Sequence, residues 1–535
     1  MAKLINQSDD NLSIPVSIQD GSFTTNTLAS KYFLIHYISL IWFSSLPLLL
    51  ESYLFWKLVD NNLFLIILLL PLQIYIGYVT LVISSILLAK CFLIVTYIIH
   101  QPKEGFFKTA KLDKDYYFWS LRAVIKKWPI WISKFITLPL INKIVLRWFN
   151  NDSEFIHFGK NVVIGQGTSI RASMILGNSL IIKKVKLEDN VTIGSNSFIS
   201  PGTHISKNIT LGAMSLTKFN QEIKLDSDSV SLAITSTPKL NQILSKKKDN
   251  NINSNLNENT IPVKQKSEKF IKNLKFNISI FGFLYFISNS IPILGLWYYL
   301  SRVFQPIFLR NSNFLTIFIN TNVFVIFLIT PLFLIMLYII NLLLVILFTK
   351  LLYKILQYLN PIKEGIFKWD NKNKDYKYYF KRSFILRYMK WKIVKSPFPW
   401  LMKFAFNYIG NCQIGKNSVI EDSYLAKELM KVGKNSYIGK ALLANHLWDK
   451  NLTIKKISIG DNVSILDNCC ISPGTEIQEN VCLLPLSITT KNDKLITHSI
   501  NFNIPSSKTL NNKLIDIYNL PFCALFNSKK KPDEN

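Results

Sequence analysis

One short stretch of the chain gathers side chains that could move protons and bind a substrate. It reads Asn445-His446-Leu447-Trp448-Asp449, which places an amide, an imidazole, an indole and a carboxylate close together. An imidazole can take up a proton at neutral pH because its unperturbed pKa lies at about 6.5. The stretch is therefore the candidate catalytic segment, and the alternative is that its histidine merely caps a loop.

The candidate segment interrupts a pattern in which aliphatic residues return every six positions. A period of six fits neither an α-helix nor a single strand, but it fits one side of a triangular coil of short parallel strands. Glycine often follows the aliphatic residue, as in Ile414-Gly415, and permits the corner between two sides. The pattern predicts a left-handed parallel β-helix over residues 409–510. Its inward positions are Ile414, Ile420, Ala426, Val432, Ile438, Ala444, Ile459, Ile465, Ile471, Ile477 and Leu483.

The interruption of this pattern runs from Ala444 to Ile459 and is fifteen residues long. Fifteen is not a multiple of six, so the chain must leave the coil and then return to it. We expect His446 to project from this excursion.

An earlier region, residues 151–243, carries the same six-residue pattern and predicts a second, shorter β-helix. Its interruption, Leu176 to Leu187, is eleven residues long and thus four residues shorter than the later one. The displacement between the two patterns sets His446 against Asn178 or Met174, so the earlier copy has no histidine at this place. We predict that the earlier β-helix is non-catalytic.

Apolar runs of bilayer length precede each β-helix. The chain is 49% hydrophobic with a mean hydropathy of +0.22, and at 1.5 Å per residue these runs can cross a hydrocarbon core of about 30 Å. They predict an integral membrane protein with four spans, in two hairpins over residues 32–100 and 274–358. An even number of crossings returns both β-helices to one side, and the basic flank after the second hairpin predicts that this side is cytoplasmic.

The net charge of +29 is typical of basic, lipid-facing segments in a chain with such apolar runs. No stacking motif of an RNA-binding module is present, so we expect no nucleic-acid partner. Two basic, aromatic segments, residues 101–150 and 359–408, either lie on the membrane surface or connect the spans to the β-helices by packing on them. No residues have the spacing of a metal site. Polar residues form a predicted N-terminal tail, a linker and a C-terminal tail, over residues 1–31, 244–273 and 511–535.

The two halves of the chain repeat one another in sequence. Glu104-Gly105 matches Glu364-Gly365 at a displacement of 260, and Ile199-Ser200-Pro201-Gly202-Thr203 matches Ile471-Ser472-Pro473-Gly474-Thr475 at 272. The matches predict an internal duplication in which each half is a membrane hairpin, a basic segment and a β-helix in the same order.

Hexads of this type resemble the hexapeptide-repeat acyltransferases, in which a histidine on a loop that leaves the coil acts as general base. Units of two spans and a hexapeptide domain are most similar to the C-terminal membrane region of ε-poly-lysine-synthetase-type non-ribosomal peptide synthetases. In that family the loop reads approximately His-x-Phe-Glu-Asp-Arg, followed by a Leu-x-Pro-x-Ser coil. The matching residues here are His446-Leu447-Trp448-Asp449 and Leu484-Pro485-Leu486-Ser487.

The resemblance implies acyl or aminoacyl transfer from a thioester to an amine. His446 would be the general base and Asp449 would orient its ring, while Trp448 and Asn445 would bind the substrate. No cofactor would be bound permanently; the donor would be acyl-CoA or a phosphopantetheinyl carrier protein, and the membrane, an amine acceptor and an oligomeric partner would complete the assembly. The competing hypothesis is a non-catalytic scaffold that holds a partner at the membrane.

Overall fold

The structure is a computed structural model of the whole chain. It describes residues 31–59, 62–108, 113–134, 152–176, 179–224, 274–310, 314–368, 373–421, 423–449, 451–502 and 507–508, together with isolated positions between 141 and 149. The predicted tails and the linker over residues 244–273 lie outside the described residues, apart from Lys31.

The described part of the chain contains four helices that are long and apolar enough to span a membrane. Their uncharged Leu, Ile and Phe residues favour a helix because every backbone hydrogen bond is then satisfied within the segment. Many of these side chains face outward and are exposed, as expected for lipid-facing helices. The prediction of four apolar helices of bilayer length is confirmed. The helices are α1 Lys31–Val59, α2 Leu63–Ile99, α4 Leu274–Tyr299 with its π-helical continuation Leu300–Leu309, and α6 Thr321–Leu359.

Each pair of long helices is followed by a short strand and a basic helix. In the first half, α2 is followed by the strand β1 Gly105–Lys108 and the helix α3 Lys114–Ser133. In the second half, α6 is followed by the strand β13 Gly365–Lys368 and the helices α7 Lys374–Val394 and α8 Leu401–Ile409. A short helix, α5 Thr316–Ile319, precedes α6.

The basic helices pack inside the protein. In α3, the buried Trp128 donates from Nε1 to Ser44 Oγ at 3.2 Å and to Ser85 Oγ at 2.9 Å, which fixes α3 against α1 and α2. In α7, Met389 and Ile393 are buried in the core of the second half. Parts of both basic helices are therefore buried within the protein.

The first half then forms a stack of short parallel strands. Among the described residues, successive strands join three sheets in turn, in the orders β2-β7-β10-β12, β3-β8-β11 and β4-β9. We call this the first stack. Its strands are β2 Ile156–Phe158, β3 Val163–Ile164, β4 Ser169–Ile170, β7 Val185–Leu187, β8 Thr192–Ile193, β9 Phe198–Ile199, β10 His204–Ile205, β11 Thr210–Leu211 and β12 Glu222–Ile223.

The second half forms a larger stack of the same kind, which we call the second stack. Its described sheets run β14-β16-β21-β24-β26, β15-β17-β22-β25-β27-β28 and β18-β23, and all pairs are parallel except the last, β27 with β28. The prediction of short parallel strands is confirmed. The strands are β14 Cys412–Ile414, β15 Val419–Ile420, β16 Met430–Val432, β17 Tyr437–Ile438, β18 Leu442–Leu443, β21 Ile457–Ile459, β22 Ser464–Ile465, β23 Cys470–Ile471, β24 Glu476–Ile477, β25 Cys482–Leu483, β26 Lys494–Leu495, β27 Ile500–Phe502 and β28 Ser507–Lys508.

Inward aliphatic residues fill the second stack and asparagines turn its corners. Ile438, Ile465 and Leu483 are fully buried on top of one another in successive strands of one sheet. At the corners Asn417 and Asn435 take positive φ values of 58° and 53°, a conformation that asparagine adopts more readily than most residues. The Nδ2 of Asn417 donates to Asn435 Oδ1 at 3.2 Å, so one corner also braces the next.

The excursions from the two stacks differ from those that the six-residue pattern predicts. Both excursions are antiparallel hairpins, β5 Ser173–Leu176 with β6 Ser179–Ile182 in the first half, and β19 His446–Asp449 with β20 Asn451–Ile454 in the second. Leu176 therefore belongs to a hairpin strand rather than to a coil, and the expected four-residue difference in length was wrong. An aliphatic residue in an alternating strand happens to fall six residues after Ile170, which mimics another hexad.

The same hairpins show that the second stack has an additional coil at its start. The strand β16 corresponds to β2, because each is the neighbour of the strand that follows the hairpin, β21 or β7. The strands β14 and β15 precede that point and have no counterpart among the described strands of the first stack. Matching residues of the two stacks before the hairpins are therefore 274 positions apart rather than 268, and the difference is one hexad.

The two stacks are joined by a buried cluster of charges. Arg171 of the first stack pairs through Nη2 with Glu421 Oε2 at 2.9 Å and through Nε with Asp467 Oδ2 at 2.8 Å. Ser169 Oγ donates to the same Asp467 oxygen at 2.7 Å. Burial alone would raise the pKa of Asp467, but Arg171 and the hydrogen bonds hold it below its usual value. Apolar side chains of the second stack, Val419 among them, complete the contact.

Candidate functional site

His446 begins the strand β19, in a three-stranded sheet that stands off the second stack. The order is β13-β20-β19, and one row across it pairs Gly365 with Ile454 and Ile454 with His446. The carboxylate of Glu364, just before β13, accepts from the backbone N–H of Lys456 at 3.1 Å. The strand that follows the α6 helix thus holds the hairpin that carries the imidazole.

Asn445 fixes the orientation of the imidazole. Its amide is buried and its Nδ2 donates to the carbonyl oxygen of Glu428 at 2.8 Å. The remaining oxygen, Oδ1, lies 3.1 Å from His446 Nδ1. Because an amide oxygen can only accept, this geometry assigns the proton to Nδ1 and leaves the lone pair on Nε2. The sequence pointed to Asn445 as a substrate contact, whereas the structure places its amide within the protein.

The surroundings of the ring keep it neutral. His446 is half-buried, and the ring of Tyr379 lies 5.9 Å from it, centroid to centroid, at an angle of 57°. Burial, and secondly the charge of Lys427, lower the pKa of His446 to about 4. The imidazole is therefore in its basic form at neutral pH, although it is a weaker base than a free imidazole.

A buried ion pair lies beneath Asn445. The side chain of Glu428 is buried, and its Oε2 is 3.3 Å from Arg382 Nε and accepts from Tyr353 Oη at 3.4 Å. Burial raises the pKa of Glu428, and the attraction of Arg382 opposes that rise without cancelling it. Its other oxygen, Oε1, has no hydrogen-bond partner among the described residues.

One cation, Lys427, lies near the imidazole, and a second, Arg387, lies near Lys427. Lys427 Nζ donates to Ser383 Oγ at 2.9 Å. Burial, and secondly the charge of Arg387, lower the pKa of Lys427 to about 8. Lys427 is only half-buried by surface area and Arg387 is exposed, so both can meet an anionic group from solvent.

The other two predicted site residues follow His446 in the strand. The backbone of Trp448 pairs with Leu452 and that of Asp449 with Asn451; their side chains lie outside the described residues. Positions three apart in a strand belong to opposite faces, so the strand does not favour a carboxylate at position 449 as the partner of the ring at 446. The group at Nδ1 is instead Asn445.

The first half has the same framework with Ser173 in place of His446. Ser173 pairs with Ile182, which pairs with Gly105. The carboxylate of Asp152 accepts from Ser173 Oγ at 2.6 Å and from its backbone N–H at 3.0 Å. The counterpart is therefore neither Asn178 nor Met174. Asn178 followed from the displacement of 268, which is one hexad too small, and Met174 followed from the displacement of 272, which holds only after the hairpin.

The buried charges are also repeated in both halves. Arg122 donates to the carbonyl of His100 at 3.0 Å, as Arg382 does to that of Asn360 at 3.0 Å. Arg122 and Arg382 are 260 positions apart, and so are His100 and Asn360. This displacement is already visible in the sequence and could have revealed Arg382 as part of the site. Glu428 matches Glu154 at the displacement of 274 that precedes the hairpins, whereas Lys427 and Tyr379 have no identical counterpart in the first half.

A cavity of about 40 Å³ lies beside Ser173, between the two stacks. Ser173 and Ile175 face Val419 and Glu421 across it. His446, by contrast, contacts Asn445 and Tyr379, which both belong to its own half. The cavity is lined by Tyr116, Trp119, Arg122, Ala123, Lys126, Lys127, Asp152, Glu154, Phe155, Arg171, Ser173, Ile175, Val419 and Glu421.

Comparison with known proteins finds similarity among solved structures. No family model matches this chain, and no curated protein does. Among solved structures, a hexapeptide-repeat acetyltransferase from Vibrio cholerae O1 biovar eltor, complexed with acetyl coenzyme A, is 18% identical with a TM-score of 0.16, and the match covers 19% of this chain and 60% of that one.

Two further solved structures are similar to parts of the chain. A maltose O-acetyltransferase from Clostridium difficile 630 is 16% identical over 31% of this chain and 86% of its own, with a TM-score of 0.15. A mutant GDP-perosamine N-acetyl transferase from Caulobacter crescentus, in complex with CoA and GDP-perosamine, is 7% identical over 19% and 51%, with a TM-score of 0.10. At these scores the likeness assigns neither a family nor an activity to this chain.

Proposed function

We propose that the chain is a membrane-bound acyl or aminoacyl transferase that forms an amide bond from a thioester donor and an amine, with His446 as general base. One observation carries the proposal: a half-buried imidazole, fixed by Asn445 in the tautomer with a free Nε2, stands on a hairpin that leaves the stack. We also propose that both stacks are left-handed parallel β-helices and that the halves arose by internal duplication, as in the ε-poly-lysine-synthetase type.

The reaction needs a group that removes protons from the attacking amine. The amine nitrogen attacks the thioester carbonyl carbon, the new C–N bond forms and the C–S bond then breaks. Nε2 of His446 accepts the proton that the nitrogen loses and can pass it to the leaving sulfur, so that an amide and a thiol result. The nitrogen becomes more acidic once it is bonded to the tetrahedral carbon, so the neutral imidazole accepts its proton more readily at this step than from the free ammonium.

The remaining side chains support this base without reacting. Asn445 keeps Nδ1 protonated. Asn445 is itself held by the carbonyl oxygen of Glu428, whose side chain pairs with Arg382. Lys427 and Arg387 give the site a positive potential, which favours a substrate with an anionic group.

The first half is a non-catalytic partner in this account. A serine hydroxyl lies where the second half has its imidazole, and this hydroxyl already donates a hydrogen bond to the carboxylate of Asp152. A hydroxyl is not a base at neutral pH, and the small cavity beside Ser173 has room for a few water molecules rather than for an acyl donor.

We further propose that the four long helices cross the membrane and that both stacks lie on its cytoplasmic side. Four crossings return the chain to the side from which it started. The basic residues in the last turns of α6 and just after it, among them Lys350, Lys354 and Lys363, favour the cytoplasm.

Release of free thiol tests the proposal. The purified full-length protein is given acyl-CoA or a loaded carrier together with a soluble or lipid-borne amine, and thiol is measured over time. We expect release by the wild type and a loss of about 10²- to 10⁴-fold in His446→Ala. The matched control is His157→Ala, an exposed histidine of the first stack, which should leave the rate unchanged. Equal background rates in wild type and His446→Ala would support the scaffold hypothesis instead.

A further inference from the structure

The proposed site is tied directly to the end of a bilayer-length helix. Tyr353, in the last turns of α6, donates from its hydroxyl to Glu428 Oε2 at 3.4 Å, and Glu428 in turn accepts through its carbonyl from Asn445 at 2.8 Å. Asn445 is the residue that holds His446. Two residues therefore separate the imidazole from the α6 helix.

The length of α6 places this end at the level of the lipid headgroups. Residues 321–349 carry no charged side chain, and at 1.5 Å per residue they extend roughly 43 Å, more than the hydrocarbon core of about 30 Å. Lys350 therefore lies at or just beyond the hydrocarbon boundary, and Tyr353 lies one turn further on. The contacts from Tyr353 bring the imidazole close to the same level.

An exposed apolar edge joins the site to this helix. Tyr358 is 89% exposed at the end of α6, Ile366 is 67% exposed on β13, and Leu447, next to the imidazole, is 39% exposed. Ile366 and Leu447 lie in one row across the sheet, on either side of Thr453. In the matching row of the first half, Met174 is buried instead. Exposed apolar side chains that continue a membrane helix are suited to contact with acyl chains.

We propose that the acceptor is a membrane phospholipid whose headgroup carries a primary amine, an inference that rests on the function proposed above. The apolar edge meets the lipid chains, Lys427 and Arg387 pair with the headgroup phosphate, and the headgroup amine meets Nε2 of His446. The C–N bond forms between the headgroup nitrogen and the acyl carbon, the C–S bond of the donor breaks, and the nitrogen's protons leave through the imidazole and with the thiol. The products are an N-acylated lipid and a free thiol, with no oxidation or reduction.

Vesicles of defined composition test this inference. The full-length protein is reconstituted in phosphatidylcholine with or without phosphatidylethanolamine and given labelled acyl-CoA, and both thiol release and label in the extracted lipid are measured. We expect both signals only when phosphatidylethanolamine is present. A soluble amine, glycerophosphoethanolamine, should support less than about one tenth of that rate in phosphatidylcholine vesicles.

The outcomes separate the inference from the proposed function. If soluble amines are acylated in phosphatidylcholine vesicles as fast as the lipid, or if thiol is released without label in the lipid, the lipid acceptor is overturned while acyl transfer stands. If no acceptor supports thiol release, both fail together.

Arg387→Gln tests the assignment of the phosphate to the lipid. We expect the KM for phosphatidylethanolamine, as mole fraction in the vesicle, to rise about tenfold, with the KM for acyl-CoA unchanged. Lys377→Gln, an exposed cation of the same helix, is the matched control and should change neither. A rise in the KM for acyl-CoA alone would assign these cations to the donor and contradict the lipid contact.

Discussion

Ser173 and His446 occupy the same position in two sheets of matching register. Each is paired with an isoleucine, Ile182 or Ile454, which pairs in turn with a glycine at the start of the strand that follows the long helices. The same backbone therefore presents a hydroxyl in one half and an imidazole in the other. Only the imidazole can act as a base at neutral pH, and that difference makes the second half the catalytic one in this account.

Asn445 is expected to act through His446 rather than on the substrate. In Asn445→Ala the ring loses its partner at Nδ1, and we expect kcat to fall about 10²-fold with little change in KM. In Asn445→Asp the carboxylate stabilises the imidazolium, so the pKa of His446 rises above about 4. The acid limb of kcat against pH should then move to higher pH. A role confined to packing would lower stability without moving that limb.

The wild-type activity should show an acid limb near pH 4. Burial and Lys427 lower the pKa of His446 to about 4, so the ring becomes protonated, and loses its function as a base, only as the pH falls through that value. Lys427→Met removes the second of these causes and should move the limb to higher pH. A limb that stays near 6.5 in the wild type would mean that the ring is solvated rather than buried.

The fold and the site were not equally open to prediction from sequence. The six-residue period predicts the short parallel strands, and the length of the apolar runs predicts the four long helices. Many residues contribute to each pattern, so one residue that departs from it does not obscure it. The start of the first hairpin was placed too late because Leu176 fell by chance on the six-residue phase. The strands β1 and β13 were missed because their partners lie about 75 and 85 residues away along the chain.

The support of the imidazole was hidden for a different reason. Asn445 is held by a backbone carbonyl, that of Glu428, and a backbone acceptor has no residue type that a sequence pattern could reveal. The buried pair of Glu428 and Arg382 depends on the packing of α7 against the second stack, which the six-residue period does not specify.

The contact between the two stacks should depend on Asp467. Asp467→Asn leaves Arg171 with one fewer carboxylate in a buried place, and removal of one member of a buried ion pair typically costs about 3–5 kcal/mol. Denaturant unfolding of the detergent-solubilised protein should show that loss. The control is Glu476→Gln, whose exposed pair with Lys494 at 3.4 Å should contribute about 0–1 kcal/mol.

The same pair gives a dependence of stability on pH. The folded-state pKa of Asp467 is lowered by Arg171 and its hydrogen bonds despite burial, so the pair stabilises the folded state above the unfolded pKa of about 3.9. This contribution is lost as the pH falls through the lowered folded-state pKa. Asp467→Asn should therefore flatten the acid side of the stability curve, and an unchanged curve would argue against a charged Asp467.

Gly433 should be intolerant of any side chain. A Cβ at this corner would lie 2.3 Å from the carbonyl oxygen of Gly460 in the next coil, which is closer than atoms approach without displacement of the backbone. We expect Gly433→Ala to lower the free energy of unfolding by about 1–3 kcal/mol. Gly282→Ala in α4, where the space is open, is the control and should not destabilise the protein.

The central claim is that the imidazole of His446 performs the chemistry and that the matching hydroxyl of Ser173 does not. The most direct measurement compares single-turnover thiol release by His446→Gln and Ser173→Ala under identical conditions. We predict that His446→Gln loses about 10²- to 10⁴-fold in rate while Ser173→Ala keeps the wild-type rate. The reverse result, activity lost with Ser173 and retained without His446, would contradict the account and place the reaction in the cavity between the stacks.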